Sequence, residues 1–335
     1  MDKSKKIDIV ELAKILNLSK STVSRAFTNS DEINSKTKEK ILKKAEELNY
    51  QPNIYASNLR ERKSKTIAVI MPELANNFFS QAVKGIEKIA RSKKYHTLIY
   101  VTDSDGDREI EITENLKNGR VEGVIMSATG EGKNPNHIKR LQKILPVVFF
   151  DRVYDEIEAP KVITDDYHSS FKATELLIKN RCKKIAFLVI NKNISIGNER
   201  MNGYVEALKR HKIKVDEALI LNCSNDFDEN YQLIKDFIHK QKPDGILASV
   251  ERLAISTYIV CNDLKVSIPN DIKLICYSSL TIASLLQPSL STITQPSYEM
   301  GAKAAELLFE KLKNNNSLSE IITLNSEIIE RNSSK

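Results

Sequence analysis

At 335 residues, the chain is too long for one ordinary domain and suits a small module joined to a core of roughly 250 residues. Its hydrophobic share of 41% and charged share of 28% are those of a globular protein, and no apolar run approaches the ~18 residues of a membrane span. The start, MDKSKKIDIVELAKIL, is charged but has no continuous apolar stretch, so it does not read as a secretory leader, and a cytoplasmic protein is expected. The four cysteines, Cys182, Cys223, Cys261 and Cys276, match no metal or redox spacing and are read as reduced and structural. The net charge of +7 is concentrated: 15 Lys and Arg stand against 9 Asp and Glu up to Lys65, and the remainder is nearly neutral. A basic segment on a balanced protein is the footprint of a phosphate binder, although charge alone equally fits a solvated face.

The order of residues in that segment says more. Asp8 followed by Glu11 has the spacing of a capping box, and apolar residues at helical intervals run to Leu16, giving a first helix. Asn17 suits the left-handed turn that ends it, and Leu18 reaches the core. Ser19 can cap a second helix, Lys20 to Phe27, with Val23 and Phe27 inward and Lys20, Ser21, Thr22 and Arg25 on the other face. A polar loop, Thr28 to Glu32, leads to Asn34, the cap of a third helix with Ile41, Leu42, Ala45 and Leu48 on one stripe. Short helices around a tight turn make a helix-turn-helix, whose second helix enters the major groove of DNA.

From Thr66 the period changes. Short β-branched strands (IAVIM, TLIYV, VEGVIM, PVVFF) alternate with amphipathic helices, one from Ser80 to Arg91 and another after Asp107, and a second series starts near Asp166 with KKIAFLVI, GILAS and IKLICY. This alternation predicts parallel sheets with helices on both faces, in two halves of one lobe each.

The stretches LSKSTVSRAF and TKEKILKKAEELNYQPNIYASNL resemble the headpiece and hinge of the lactose-repressor/galactose-repressor (LacI/GalR) family. The resemblance continues through IAVIMPELANNFFSQAVKGIE, VEGVIMSA, PVVFFDR, NERMNGYVEAL and PSLSTITQPSYEMGAKAAELL. It implies a sequence-specific DNA-binding transcription regulator, by family habit a repressor, with an all-α helix-turn-helix headpiece at 1–50, a hinge and linker at 51–63 and an α/β core at 64–335. That core would be a two-lobed, periplasmic-binding-protein-like fold in which the chain crosses between lobes near Thr164-Asp165, Ser291-Thr292 and Leu324-Asn325. Lobe 1 would then hold about 64–164 and 292–324, and lobe 2 about 165–291 and 325–335.

The resemblance also implies roles. Residues at Lys20, Ser21 and Arg25 would read base edges, with Lys20 open to a phosphate role instead, and Ser19 and Thr22 would hold phosphates while still serving as cap and packing. Arg is suited to bidentate contact with guanine, hydroxyls to backbone oxygens. In the hinge, Asn53 is a further DNA contact, Ala56 lets two hinge helices approach, and Leu59 is a wedge for the minor groove. An effector would sit between the lobes at the carboxyl ends of strands. Phe79 would be an aromatic wall, Asp151 a carboxylate and Arg200 a polar clamp, with Arg152 and Asp166 beside them. Taken singly, Phe79 equally reads as core, and Asp151 as a cap or ion-pair partner. Aromatic, carboxylate and guanidinium groups suit sugar hydroxyls or a similarly polar metabolite. Two departures bear on the ligand: Val250-Glu251 stands where the family often has Asn-Asp, and Ser278-Ser279 where it often has Asp-Asp. They leave a phosphorylated sugar, an oligosaccharide or no ligand open.

Other motifs fall away. Asp103, Asp105, Asp107 and Glu114 mimic a calcium loop, but Arg108 occupies its glycine position. Ser169 precedes Lys172 by three without a companion motif, GEGK lacks the rest of a phosphate loop, and the five histidines have no ligand spacing. No catalytic constellation, cofactor or metal is expected. Two headpieces reading a pseudo-palindrome predict a homodimer. An enzyme on a related fold, or a stand-alone binding protein, is the alternative class: the first predicts turnover of a sugar, the second an export signal.

Overall fold

The computed structural model describes residues 7–27, 33–50, 64–130, 135–190, 194–314 and 319–335. The chain divides into two compact units, 1–64 and 65–335.

In the first unit, α1 (Ile9–Leu16) starts at the expected capping box: Asp8 accepts from the backbone N–H of Val10 and Glu11, and Glu11 accepts from that of Asp8. Asn17 ends it at φ 53°. Ser19 accepts from the N–H of Thr22 at 3.1 Å, which caps α2 (Lys20–Phe27), and Asn34 caps α3 (Ser35–Glu47) through the N–H of Lys36. Leu12, Leu16, Val23, Ala26, Ile41 and Ala45 form the core, with Leu18, Phe27 and Leu48 packed against it. Leu42 does not join the expected stripe. It lies exposed, because one step past Ile41 is a turn of about 100° away from the buried face.

The second unit holds a pair of six-stranded sheets. The first contains β1 (Thr66–Met71), β2 (His96–Val101), β3 (Gly123–Met126), β4 (Val147–Phe150), β5 (Lys161–Thr164) and β11 (Ile321–Leu324) in the order β11-β5-β4-β3-β1-β2, every pair parallel. The other contains β6 (Ile185–Ile190), β7 (Ile220–Cys223), β8 (Gly245–Ala248), β9 (Lys273–Tyr277), β10 (Ser291–Thr294) and β12 (Glu327–Ile329) in the order β12-β10-β9-β8-β6-β7, with only β12 antiparallel. β1, β3, β4, β6 and β8 are buried throughout or nearly so, as strands covered on both faces must be. In both sheets the order reverses beside the first strand, at β1/β3 and β6/β8, and that is where such sheets open a crevice at their carboxyl ends.

The covering helices are α4 (Asn77–Ser92), α5 (Gly106–Asn115), α6 (Asn136–Gln142), α7 (Asp166–Lys179), α8 (Ser195–Arg210), α9 (Phe227–Gln241), α10 (Glu251–Leu264) and α11 (Ser297–Lys313). α4 begins three residues before the expected Ser80, capped by Asn76. α11 comes late in the chain yet packs on α4, and glycine permits the approach: a Cβ on Gly85 would lie 2.1 Å from the Tyr298 carbonyl oxygen, and one on Gly301 2.0 Å from that of Ala82.

The chain passes between lobes after Thr164, after Thr294 and after Leu324. The middle passage is displaced from Ser291-Thr292, since those residues pair with Ile275, Cys276 and Ile329 inside the second sheet. The passages are tied together: Gln295 Nε2 donates to Thr164 Oγ1 at 2.9 Å, and the Ser326 N–H to Asp165 Oδ1 at 2.7 Å.

Candidate functional site

A cavity of about 270 Å³ lies between the carboxyl ends of the two sheets, at the small end of ligand pockets. The first lobe lines it with Glu73, Phe79, Asp151 and Arg152, the second with Arg200, Glu251 and Tyr277. Phe79, in the first turn of α4, is both wall and core: it meets Phe150 and Phe78 edge to face. Asp151 follows β4 in the left-handed region at φ 61°, which turns its carboxylate inward to accept from Ser127 Oγ at 3.2 Å. Burial pushes this carboxyl up to about 6, against the pull of Arg152 and Arg200. Arg152 stands 3.9 Å from Asp151 Oδ2 and donates to Ser104 Oγ at 3.1 Å, while its Nε is buried with no hydrogen-bond acceptor among the described residues.

Arg200, on α8, is nearly inaccessible. Its Nε donates to Asp166 Oδ1 at 2.6 Å, Nη1 to the Ser249 carbonyl at 2.7 Å, and its guanidinium stacks on the Tyr277 ring at 3.8 Å. Asp166 therefore stands behind Arg200, orienting it, and is not among the residues that line the cavity. Thr164 Oγ1 supplies the other oxygen of that carboxylate with a hydrogen bond at 2.9 Å. This chain of contacts reaches from a lobe passage to the cavity wall.

Several lining residues carry no signal in the sequence. Glu73, after β1, and Arg252, on α10, form an ion pair of 2.5 Å across the cleft. Ser278 Oγ donates to Glu251 Oε2 at 2.7 Å. A position-by-position comparison flags Glu251 and Ser278 as departures, but only the fold shows that they face one another. Ser169, whose spacing to Lys172 mimics an acyl-enzyme, instead hydrogen-bonds the Asp165 carbonyl and Tyr277 Oη. The cysteines carry no bridges, and burial pushes the thiols of Cys182, Cys223 and Cys261 up to about 12. Among the described residues no cluster could hold a metal ion, and no helix is long and apolar enough to cross a membrane.

On the small unit, Ser19, Lys20, Ser21 and Arg25 lie exposed and Thr22 half-buried on one side of α2, opposite the buried Val23 and Ala26. Ser19 Oγ is 2.8 Å from both Ser21 Oγ and Thr22 Oγ1, so the hydroxyls form one cluster at the start of the helix. Asn53, Ala56 and Leu59 lie outside the described residues.

Residues 8–53 match the family described as bacterial regulatory proteins, lacI family, and residues 64–330 match periplasmic binding proteins and sugar binding domain of LacI family. The chain belongs to the LacI family. Among its LacI relatives, catabolite control protein A of Streptococcus mutans is 32% identical over 336 residues, covering 98% of each chain. The ribose operon repressor of Haemophilus influenzae is 28% identical over 307 residues, covering 91% of this chain and 92% of its own. The lac repressor dimer bound to operator and the anti-inducer ONPF superposes with a TM-score of 0.87 at 20% identity, over 98% of this chain and 99% of that one, which shows the shared fold. As a LacI-family member the chain is a DNA-binding transcriptional regulator with a sugar-binding type of core; the helix-turn-helix headpiece and two-lobed α/β core are those expected from sequence.

Proposed function

We propose that this regulator binds a pseudo-palindromic operator as a homodimer and that a small polar effector, a sugar or sugar derivative, seated between the core lobes controls the binding. The observation that carries this reading is the cavity itself, whose walls come from opposite lobes, so that a ligand touching both changes the balance between lobe arrangements. Ser19, Lys20, Ser21, Thr22 and Arg25 would face DNA, the hydroxyls on phosphates and Arg25 on a base edge. Asn53, Ala56 and Leu59 would act in the hinge, Leu59 as the wedge. Phe79, Asp151, Arg152 and Arg200 would meet the effector, with Asp166 positioning Arg200.

The test is salt-dependent retention of random duplexes by the purified protein, followed by sequencing. Enrichment of a two-fold-symmetric site supports the reading; sequence-blind retention with and without candidate sugars refutes it. Leu59→Ala should then weaken binding to the selected site while effector binding persists, and unchanged operator affinity would remove the wedge role.

A further inference from the structure

Among the described residues, and counting Asp166 behind Arg200, the acids around the cavity outnumber the arginines by one. Arg252 is paired with Glu73, Arg200 with Asp166, and Arg152 lies beside Asp151. Glu251 is left over. Among the described residues its carboxylate has one hydrogen bond, from Ser278 Oγ, and no cation pairs with it, although an ionised carboxylate has about four acceptor sites. Burial pushes its carboxyl up, with Ser278 pulling the other way and Glu73 adding to the rise. On the facing wall the shortage is reversed: among the described residues, Arg152 Nε is a buried donor without an acceptor. The lining thus offers an under-bonded acceptor, Glu251, from the second lobe and faces it with the Arg152 side chain of the first.

Resting on the reading of the cleft as an effector site, we propose that Glu251 is the second lobe's specificity-determining residue, accepting a hydrogen bond from a hydroxyl of an uncharged polyhydroxy compound that Arg152 meets from the first lobe. A hydroxyl both donates and accepts, so one compound answers both walls. A phosphate or carboxylate placed against Glu251 would set like charge beside a carboxylate that has no cationic partner among the described residues. The same pair bears on the departures at Val250-Glu251 and Ser278-Ser279: serine at 278 gives up a carboxylate, while Glu251, which opens α10, keeps the acid of its own position on a longer side chain, 2.7 Å from Ser278 Oγ. The cavity size favours a compound of one or two rings over a long chain.

Two measurements on the full chain test this, and neither uses DNA, so both stay readable if the operator reading fails. The first needs no ligand. An under-bonded, half-buried carboxylate destabilises the fold when ionised, so Glu251→Gln should unfold about 2 °C or more above wild type at pH 8, with a smaller gap at pH 5. Equal or lower unfolding temperature at both pH values would mark Glu251 as a structural partner of Ser278 and overturn the assignment. The second compares ligand-induced stabilisation by glucose, ribose and cellobiose with that by glucose 6-phosphate and ribose 5-phosphate. At least one uncharged sugar should stabilise the wild type, its affinity falling about tenfold or more in Glu251→Gln. Stabilisation by a phosphate ester instead, by no uncharged sugar, or equally in both proteins would overturn it.

Discussion

Replacing Arg200 by methionine keeps most of the side chain's length and removes its charge. The guanidinium holds a carboxylate at 2.6 Å, a carbonyl at 2.7 Å and an aromatic face at 3.8 Å, and the residue is 3% exposed. Without it Asp166, itself 5% exposed, keeps Thr164 Oγ1 as its one side-chain donor among the described residues. Breaking a buried pair from one side costs about 3–5 kcal/mol, much of it the uncompensated charge left behind, so Arg200→Met should raise the unfolded fraction of the core roughly a thousandfold. Urea unfolding followed by circular dichroism reads this as a fall in midpoint without a change in slope. Adding Asp166→Asn removes the stranded charge and should recover about half the loss, because neutralising both partners costs less than neutralising one. A loss below about 1 kcal/mol in the single variant, or no recovery in the double, would show that the pair does not organise the cleft.

Asp151→Asn keeps a residue type that tolerates positive φ and removes the charge. With the folded carboxyl raised to about 6, the wild type loses stability as pH rises from about 4 through about 6. The variant should therefore be more stable above pH 6 by up to about 3 kcal/mol and equal to wild type near pH 4, as read by denaturation across pH. Gly85→Ala drives a methyl into the Tyr298 carbonyl, forces α4 and α11 apart and should cost about 1–3 kcal/mol of core stability, seen as a lower melting temperature. Arg25→Ala should weaken the selected operator by about 1–3 kcal/mol and relax preference at one base position, checked by repeating the selection with the variant.

The headpiece was legible almost to the residue, because its signals are local: an Asp8–Glu11 capping box, an asparagine at the left-handed Asn17 and Ser19 at the helix start each act within a few positions. The buried strands β1, β4, β6 and β8 also stand out as unbroken apolar runs. β7 and β11 are edge or near-edge strands with half-exposed residues, and their sequences, ILNC and IITL, are too short to declare a period. Ser291–Thr294 belongs to the second lobe because of its partners Ile275 and Cys276, distant in sequence. At the cleft, Phe79, Asp151, Arg152 and Arg200 were found through family resemblance. The Glu73–Arg252 pair spans two lobes and 179 positions, and no local pattern marks it.

The packing of α11 on α4 and the pairing of β12 with β10 set a timetable for synthesis. When Leu290 has been added, the first lobe still lacks α11 and β11, and the second still lacks β10, β12 and the buried Ser333 and Ser334, which bond Leu274 and Ser291. Both cores wait for residues made after Leu290, so the two lobes close almost together. The headpiece, whose core is complete by Tyr50, can fold long before there is anything for it to answer to.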